Sequence, residues 1–132
     1  MLCMLDTDIC IHLIKRKPIH VLERLKTFRP AEVAVSSATV AELQYGVYKS
    51  SRPERNQEAL AEFLLPLEVV SFDESAAAHY GEIRTDLERK GTIIGAMDLF
   101  IAAHARSLSL TLVTNNIAEF QKVPGLRVEN WV

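Results

Sequence analysis

The feature of the sequence that most constrains its fold is the alternation of short, wholly apolar segments with longer segments of helical periodicity. Residues 2–5 form an apolar run that ends at Asp6, as expected of a central strand that is buried on both faces. Further strands are predicted, with helical segments between them, at 33–35, 69–72, 111–113 and 127–129. Parallel strands joined by helices form right-handed crossovers, so the sequence predicts a three-layer α/β/α fold with a central parallel sheet of about five strands.

The chain is predicted to be a single domain that spans residues 1–132. This length suits one hydrophobic core, and no repeat, low-complexity stretch or Pro/Gly-rich linker divides it. The N-terminus has no basic region before its short apolar run, and no apolar segment approaches the roughly 20 residues that a membrane-spanning helix needs. We therefore expect a cytoplasmic protein with no membrane partner. Cys3 and Cys10 lie in apolar patterns and are expected to be buried free thiols.

The charge balance limits how the protein interacts with nucleic acid. A net charge of −2 and an isoelectric point of about 6.1 argue against a protein that coats nucleic acid through bulk positive charge. They do not exclude an enzyme whose acidic centre binds cations and whose basic residues act locally.

Three acidic residues lie where the functional groups of a parallel α/β sheet usually lie, near the carboxyl ends of its strands. Asp6 follows the first strand, Glu42 lies on the helix after the second, and Asp98 begins the helix before the fourth. In open α/β sheets such groups meet at the carboxyl ends of the strands. Carboxylates that meet there repel one another unless they are protonated or neutralised by cations. Oxygen-rich sites without sulfur suit Mg²⁺ or Mn²⁺, which activate water for attack on phosphorus.

Each acid also has a purely structural interpretation. Asp6 is a suitable cap for the helix that follows it, and Asp98 is favoured by the helix dipole in a first turn. Asp8 and Glu119 are interpreted first as surface or capping residues. Glu42 is harder to explain in this way, because its neighbours point into the core and buried carboxylates are rare without a partner.

Polar residues that follow the fourth strand are further candidates. Thr114, Asn115 and Asn116 are placed to orient a water or a phosphate, although the Thr114 hydroxyl is an equally good cap for the next turn. Ser36 and Ser37 have no histidine near them, so the sequence does not favour nucleophilic catalysis. The four histidines do not have the spacing of metal ligands and are interpreted as structural or exposed. They are His12, His20, His79 and His104.

Four segments resemble, in order and with compatible spacing, the signatures of VapC-type PIN domains. They are MLDTD at 4–8, SSATVAEL at 36–43, MDLFIAA at 97–103 within the stretch 95–105, and LVTNN at 112–116. A single signature of this length is unspecific, whereas four in order along the whole chain are specific.

The resemblance implies that Asp6, Glu42 and Asp98 are the metal-binding acids. It further implies a five-stranded parallel sheet, dimerisation, dependence on Mg²⁺ or Mn²⁺, and cleavage of RNA that inhibits translation. The expected substrate is tRNA, in particular the anticodon loop of initiator tRNA. The expected partner is a VapB antitoxin whose tail blocks the active site, in a hetero-oligomer that binds its own operator DNA. From the residues themselves, a dimer is predicted through the helices after the second strand, where apolar area exceeds the needs of one core: Tyr45, Tyr48, Phe63 and Leu64.

The sequence departs from the family pattern at two places. Many members have a fourth acid just after the fourth strand, where this chain has Asn115 and Asn116. Either Glu119 replaces that acid from one helical turn away, or a second metal is held weakly. The family also often has Asn at the position of Asp8, which adds a negative charge here.

Two other functions are compatible with parts of the sequence. Asp6 and Asp8 after an apolar strand resemble the start of a haloacid-dehalogenase-type phosphatase, in which the first Asp is the nucleophile. That class needs a later acidic pair, and this chain has asparagines after its fourth strand. A non-catalytic PIN-like binding module is the second alternative, although such modules usually lack one or more of the metal acids.

Overall fold

Five parallel strands form the central sheet of the computed structural model, which describes residues 1–132. In chain order they are β1 Cys3–Leu5, β2 Val33–Ser36, β3 Glu68–Val70, β4 Thr111–Val113 and β5 Val128–Glu129. Their spatial order is β3-β2-β1-β4-β5, so β1 is the central strand and pairs in parallel with β2 and β4. The predicted parallel sheet is confirmed.

Seven α-helices connect and cover the strands. They are α1 Thr7–Lys15, α2 Ile19–Leu25, α3 Ser37–Lys49, α4 Pro53–Leu64, α5 Glu74–Lys90, α6 Ala96–Ser107 and α7 Ile117–Phe120, with a 3-10 turn at Pro30–Glu32. No helix is both long enough and apolar enough to cross a membrane.

The alternation of side chains along each strand separates the interior into two cores. On β1, Met4 points into a core shared with α5 and α6, which includes Leu87 and Leu99. Its neighbours Cys3 and Leu5 point to the opposite face, into a core shared with α1 to α4. Both faces of the sheet are therefore covered, and the predicted three-layer α/β/α fold is confirmed.

The cysteines are both buried and unpaired, as predicted. Burial raises the pKa of the Cys3 thiol to about 11 and that of the Cys10 thiol well above its ordinary value. Both thiols therefore remain protonated at neutral pH, and they fill core positions as small apolar groups.

The helix ends follow the local chemistry of the sequence, with two differences from the prediction. Asp73 caps α5 and Gly91 ends it in the left-handed conformation at φ 67°, as expected of a helix-terminating glycine. The cap of α1 is Asp6 and not Asp8, the other acid for which the sequence allowed a capping role, because the chain turns from strand to helix within a single residue. Phe72 lies outside β3, which ends at Val70.

Candidate active site at the carboxyl edge of the sheet

Asp6 occupies the point where β1 becomes α1. Its backbone N–H donates to the Val113 carbonyl at 3.0 Å, which extends the ladder between β1 and β4 by one residue. Its carboxylate oxygen Oδ1 accepts a hydrogen bond of 2.9 Å from the Ile9 N–H, and the residue is only 4% exposed. The structural and the functional interpretation of Asp6 are therefore both compatible with this geometry. Asp6 caps α1, and it is also a buried carboxyl group at the end of β1.

The surroundings of Asp6 disfavour its negative charge. The pKa of Asp6 is raised from 3.8 to about 6, mainly by burial and to a lesser extent by the nearby charges of Asp8 and Asp98. Hydrogen bonds from the Thr114 hydroxyl and the Ile9 N–H act in the opposite direction, because they stabilise the carboxylate. The net effect is a carboxyl group that is protonated unusually easily in the absence of a cation.

Glu42 lies on α3 and is half-buried, as the sequence predicted. The hydroxyl of Thr7, in the first turn of α1, donates to Glu42 Oε1 at 2.5 Å and lies 3.4 Å from the Thr39 hydroxyl. Sequence reasoning did not single out Thr7. The available signal was its position directly after Asp6, at the edge where the acids were expected to meet.

Asp98 is half-buried in the first turn of α6, as predicted. Its Oδ2 atom lies 3.5 Å from the place that a Cβ would occupy on Gly95, so the carboxyl folds back over the start of its own helix. Burial raises the pKa of Asp98, and the charges of Asp8, Glu42 and Glu119 raise it further. Acids from four separate helices therefore act on one another electrostatically.

The oxygen atoms of this acidic cluster suit a hard divalent cation, but the side chains do not surround a common point. No three acidic, histidine or cysteine side chains are arranged closely enough to hold a metal ion as they stand. Asp6 is turned toward the Ile9 N–H, and Glu42 is turned toward Thr7. Coordination by Asp6, Glu42 and Asp98 together would require side-chain rotations, which mutual repulsion disfavours until a cation is present.

The polar residues after β4 fall into a buried group and an exposed group. Thr114 is completely buried and accepts a hydrogen bond of 2.9 Å from the Asn116 N–H, so it does cap the turn that follows. Asn115 and Asn116 are exposed at the same edge. Glu119 is half-buried and forms an ion pair with Lys122 at 3.2 Å, which is the surface arrangement that the sequence also allowed.

A cleft of about 560 Å³ begins at the acidic cluster and runs between α1, α3 and α4. Thr7, Asp8 and Glu42 form one end of it. The remainder is mostly apolar, with a lysine and an asparagine at its margin, and its lining residues are Ile11, Ile14, Lys15, Leu43, Gly46, Val47, Asn56, Ala59 and Leu60. An apolar segment in this cleft would lie directly beside the acids.

The expectation that no histidine lies near Ser36 was wrong. His104 Nδ1 lies 2.7 Å from Ser36 Oγ, although 68 residues separate them in the sequence. Ser36 is fully buried and His104 is 1% exposed, so the serine is inaccessible to a substrate and the pair is not a nucleophilic centre.

Comparison with known proteins agrees with this geometry. The PIN domain family model matches residues 3–126. The chain is 48% identical over 129 residues to Ribonuclease VapC2 of Haemophilus influenzae, a match that covers 98% of this chain and 97% of that protein. It is also 48% identical over 128 residues to the tRNA(fMet)-specific endonuclease VapC of Salmonella typhimurium, covering 97% of this chain and 96% of that protein. Among solved structures, VapBC2 from Rickettsia felis bound to a DNA fragment from its promoter matches with a TM-score of 0.94 and 46% identity, over 100% of both chains.

Proposed function

The chain belongs to the PIN-domain family and is a VapC-type ribonuclease, and we propose that it is the toxin of a type II toxin–antitoxin system. In this role it cleaves RNA with Mg²⁺ or Mn²⁺ and inhibits translation in the cytoplasm. The observation that supports metal-dependent cleavage is the acidic cluster, in which the charges of Asp8, Glu42 and Glu119 all act on Asp98. A divalent cation is the natural partner for such a cluster, because it removes the repulsion among the carboxylates.

In this proposal Asp6, Glu42 and Asp98 hold the cation through their carboxylate oxygens. PIN-domain nucleases generally depend on divalent metals, and a bound cation supplies an activated water and stabilises the charge that develops on the phosphate. Asp6 is held in place by Val113 and by Ile9, and Glu42 is held by Thr7. Glu119 is the candidate for a fourth carboxylate.

The residues after β4 have the supporting roles in the site. The Thr114 hydroxyl stabilises the Asp6 carboxylate and orients the turn, while the exposed amides of Asn115 and Asn116 are available to a phosphate or a water. Two asparagines in place of an acid remove a negative charge from the position directly after β4. That change favours the approach of an RNA phosphate.

We further propose that the RNA substrate is tRNA, with the anticodon loop of initiator tRNA as the specific target. The Salmonella typhimurium relative named as a tRNA(fMet)-specific endonuclease supports this substrate, since the match covers nearly the whole of both chains. A single-stranded loop is also the form of RNA whose phosphates are most accessible to a metal at the base of a crevice.

A VapB antitoxin is the proposed protein partner, and the cleft between α1, α3 and α4 is its proposed binding site. The cleft can accept the apolar side chains of an extended or helical tail, and Asp8 and Glu42 at its end can accept a basic side chain. A tail in this place would cover the acids and block RNA. By analogy with the promoter-bound Rickettsia felis complex, the toxin–antitoxin assembly is proposed to bind its own operator DNA. Within this assembly the toxin is proposed to form a homodimer.

The alternative functions have less support. A phosphatase would use Asp6 as a nucleophile, but Asp6 is 4% exposed and one of its carboxylate oxygens accepts from the Ile9 N–H. A non-catalytic module would have no need to retain three acids whose repulsion destabilises the metal-free protein.

The direct test is incubation of the purified protein with initiator tRNA and Mn²⁺, with and without EDTA. We expect one cut in the anticodon loop that EDTA abolishes and that Asp98→Asn eliminates. Glu23→Gln, an exposed acid on α2, is the matched control and should cleave as wild type does. Cleavage that persists in EDTA, or in Asp98→Asn, would contradict the proposed site. Uniform degradation of all RNAs would contradict the tRNA target alone.

A further inference from the structure

A buried polar pair connects the two helices that contain Glu42 and Asp98. Ser36 ends β2 and caps α3, with its Oγ accepting a hydrogen bond of 3.1 Å from the Ala38 N–H. The same Oγ lies 2.7 Å from Nδ1 of His104 on α6. This is a direct side-chain hydrogen bond between the start of α3 and the middle of α6.

Each member of the pair lies six residues from one acid, Ser36 on the N-terminal side of Glu42 and His104 on the C-terminal side of Asp98. Six residues of helix correspond to about 9 Å of axial rise, at about 1.5 Å per residue. The hydrogen bond therefore fixes where α3 packs against α6. This contact lies about 9 Å along each helix from the residue that carries the carboxylate.

The surroundings of His104 hold its ring in one place. The Phe72 ring packs edge-on against it at 5.4 Å, and the Phe72 N–H donates to the Ser37 hydroxyl at 3.0 Å. His104 is 1% exposed, and burial lowers its pKa, with only Asp73 acting in the opposite direction. The imidazole is therefore neutral at physiological pH.

Nothing else in the core explains why a histidine is used here. Its Nε2 atom is buried and has no hydrogen-bond partner, which is unfavourable for a polar ring. The Ser36 hydroxyl bonds Nδ1 in either ring tautomer, since it can donate its hydrogen to Nδ1 or accept one from it. An apolar side chain would avoid this unpaired group, so the contribution of the histidine is its bond to Ser36.

We propose that Ser36 and His104 are positioning residues for metal binding, which act by fixing the packing of α3 against α6, the two helices from which Glu42 and Asp98 would reach one cation. This inference rests on the proposed function, because it needs a cation bound by those acids. Neither residue touches the metal or the RNA. Their effect is on the affinity for the cation. Groups that hydrogen-bond metal ligands directly change affinity by about 10- to 100-fold, and this pair, which acts through the helices, is expected to reach the lower end of that range.

The test measures Mn²⁺ binding to the RNA-free protein by calorimetry, at a temperature well below the unfolding of every variant. We expect His104→Leu to weaken Mn²⁺ binding by at least about tenfold, by the same reasoning. His104→Asn, which places an amide near the position of Nδ1, should restore binding to within about threefold. Ser36→Ala should match His104→Leu, and the double variant should bind no more weakly than either single variant, because both remove one interaction.

Val21→Ala is the matched control for a general loss of stability. Val21 is fully buried on α2, in the core on the opposite face of the sheet from α6, so this variant should melt earlier but bind Mn²⁺ as wild type does. Wild-type Mn²⁺ affinity in folded His104→Leu and Ser36→Ala would overturn the positioning role alone. Two other results would overturn the proposed function and this inference with it. One is a wild-type protein that does not bind Mn²⁺, and the other is an Asp98→Asn variant that binds Mn²⁺ as tightly as wild type.

Discussion

The hydroxyl of Thr7 donates to Oε1 of Glu42 at 2.5 Å, across the contact between α1 and α3. Thr7 is also the residue directly after Asp6, whose carboxyl caps the same helix. One short segment therefore provides one acid and orients a second acid that lies 35 residues away from Thr7 in the sequence. A hydrogen bond to a carboxylate is stronger than one between neutral groups, so this contact restricts the rotamer of Glu42.

Replacing Thr7 with Val should lower RNA cleavage by about tenfold, because Glu42 loses the hydroxyl that orients it. Thr7→Ser keeps the hydroxyl and should retain most of the activity. The measurement is the single-turnover rate on a tRNA substrate at saturating Mn²⁺. Equal rates for the Val and Ser variants would mean that the hydroxyl has no part in catalysis.

Asp6→Asn should stabilise the metal-free protein at neutral pH. The pKa of Asp6 is raised to about 6, so the stability associated with its protonated form is complete below about pH 3.8 and is lost as the pH rises through about 6. Two pKa units correspond to roughly 3 kcal/mol at most, and Asn still caps α1. We expect the free energy of unfolding at pH 7.5 in EDTA to rise by about 1–3 kcal/mol on this basis.

Chemical unfolding across a range of pH checks that sign. The advantage of Asp6→Asn over wild type should shrink as the pH falls from 7.5 toward 4, because wild-type Asp6 becomes protonated. Asp73→Asn, at the exposed cap of α5, is the control and should show no such gain. Lower stability of Asp6→Asn at pH 7.5 would show that the carboxylate charge favours folding.

Mn²⁺ binding should tighten as the pH rises through about 6. The cation competes with protons for Asp6 and Asp98, both of which have raised pKa values. Binding near pH 5.5 should therefore release protons to the buffer, which calorimetry in buffers of different ionisation enthalpy can count. An affinity that is constant between pH 5 and 8 would exclude Asp6 as a ligand.

Glu119→Gln tests whether Glu119 is the fourth carboxylate. If it is, the variant should need more Mn²⁺ for half-maximal activity and cleave more slowly, with RNA binding little changed. Asn116→Asp should tighten metal binding, because it restores an acid directly after β4. The ion pair of Glu119 with Lys122 favours the opposite result. Wild-type behaviour across a Mn²⁺ titration would leave a site of three carboxylates.

A homodimer should form through the face of α3 that presents Tyr45 and Tyr48. These side chains are 67% and 77% exposed, far more than a monomer core would leave on two tyrosines of one helix. Sedimentation should detect a dimer at micromolar concentration, and Tyr48→Glu should convert it to a 14.8 kDa monomer. A wild-type protein that sediments as a monomer would contradict this prediction.

Much of the fold follows from local patterns in the sequence. The apolar runs that became β1 and β4 were identifiable because strands buried on both faces have no alternation. The location of Asp6, Glu42 and Asp98 at one edge was predictable because all strands of a parallel sheet have their carboxyl ends at the same edge.

The hydrogen bonds that orient the site could not be predicted in this way. The Thr7–Glu42 bond depends on the packing of α1 against α3, and the Ser36–His104 bond depends on the packing of α3 against α6. Helix packing of this kind is set by many side chains at once, and no periodicity in the sequence encodes it. The histidine near Ser36 was missed for this reason.

The central position of β1 has a consequence for how the protein is synthesised. The Asp6 N–H is bonded to Val113, at the end of β4, and residues 1–110 precede that strand. A chain still growing on the ribosome has therefore made Asp6, Glu42 and Asp98 before it has the strand that holds Asp6 in place. The acidic site is therefore not assembled as seen here until β4 has been synthesised and has paired with β1.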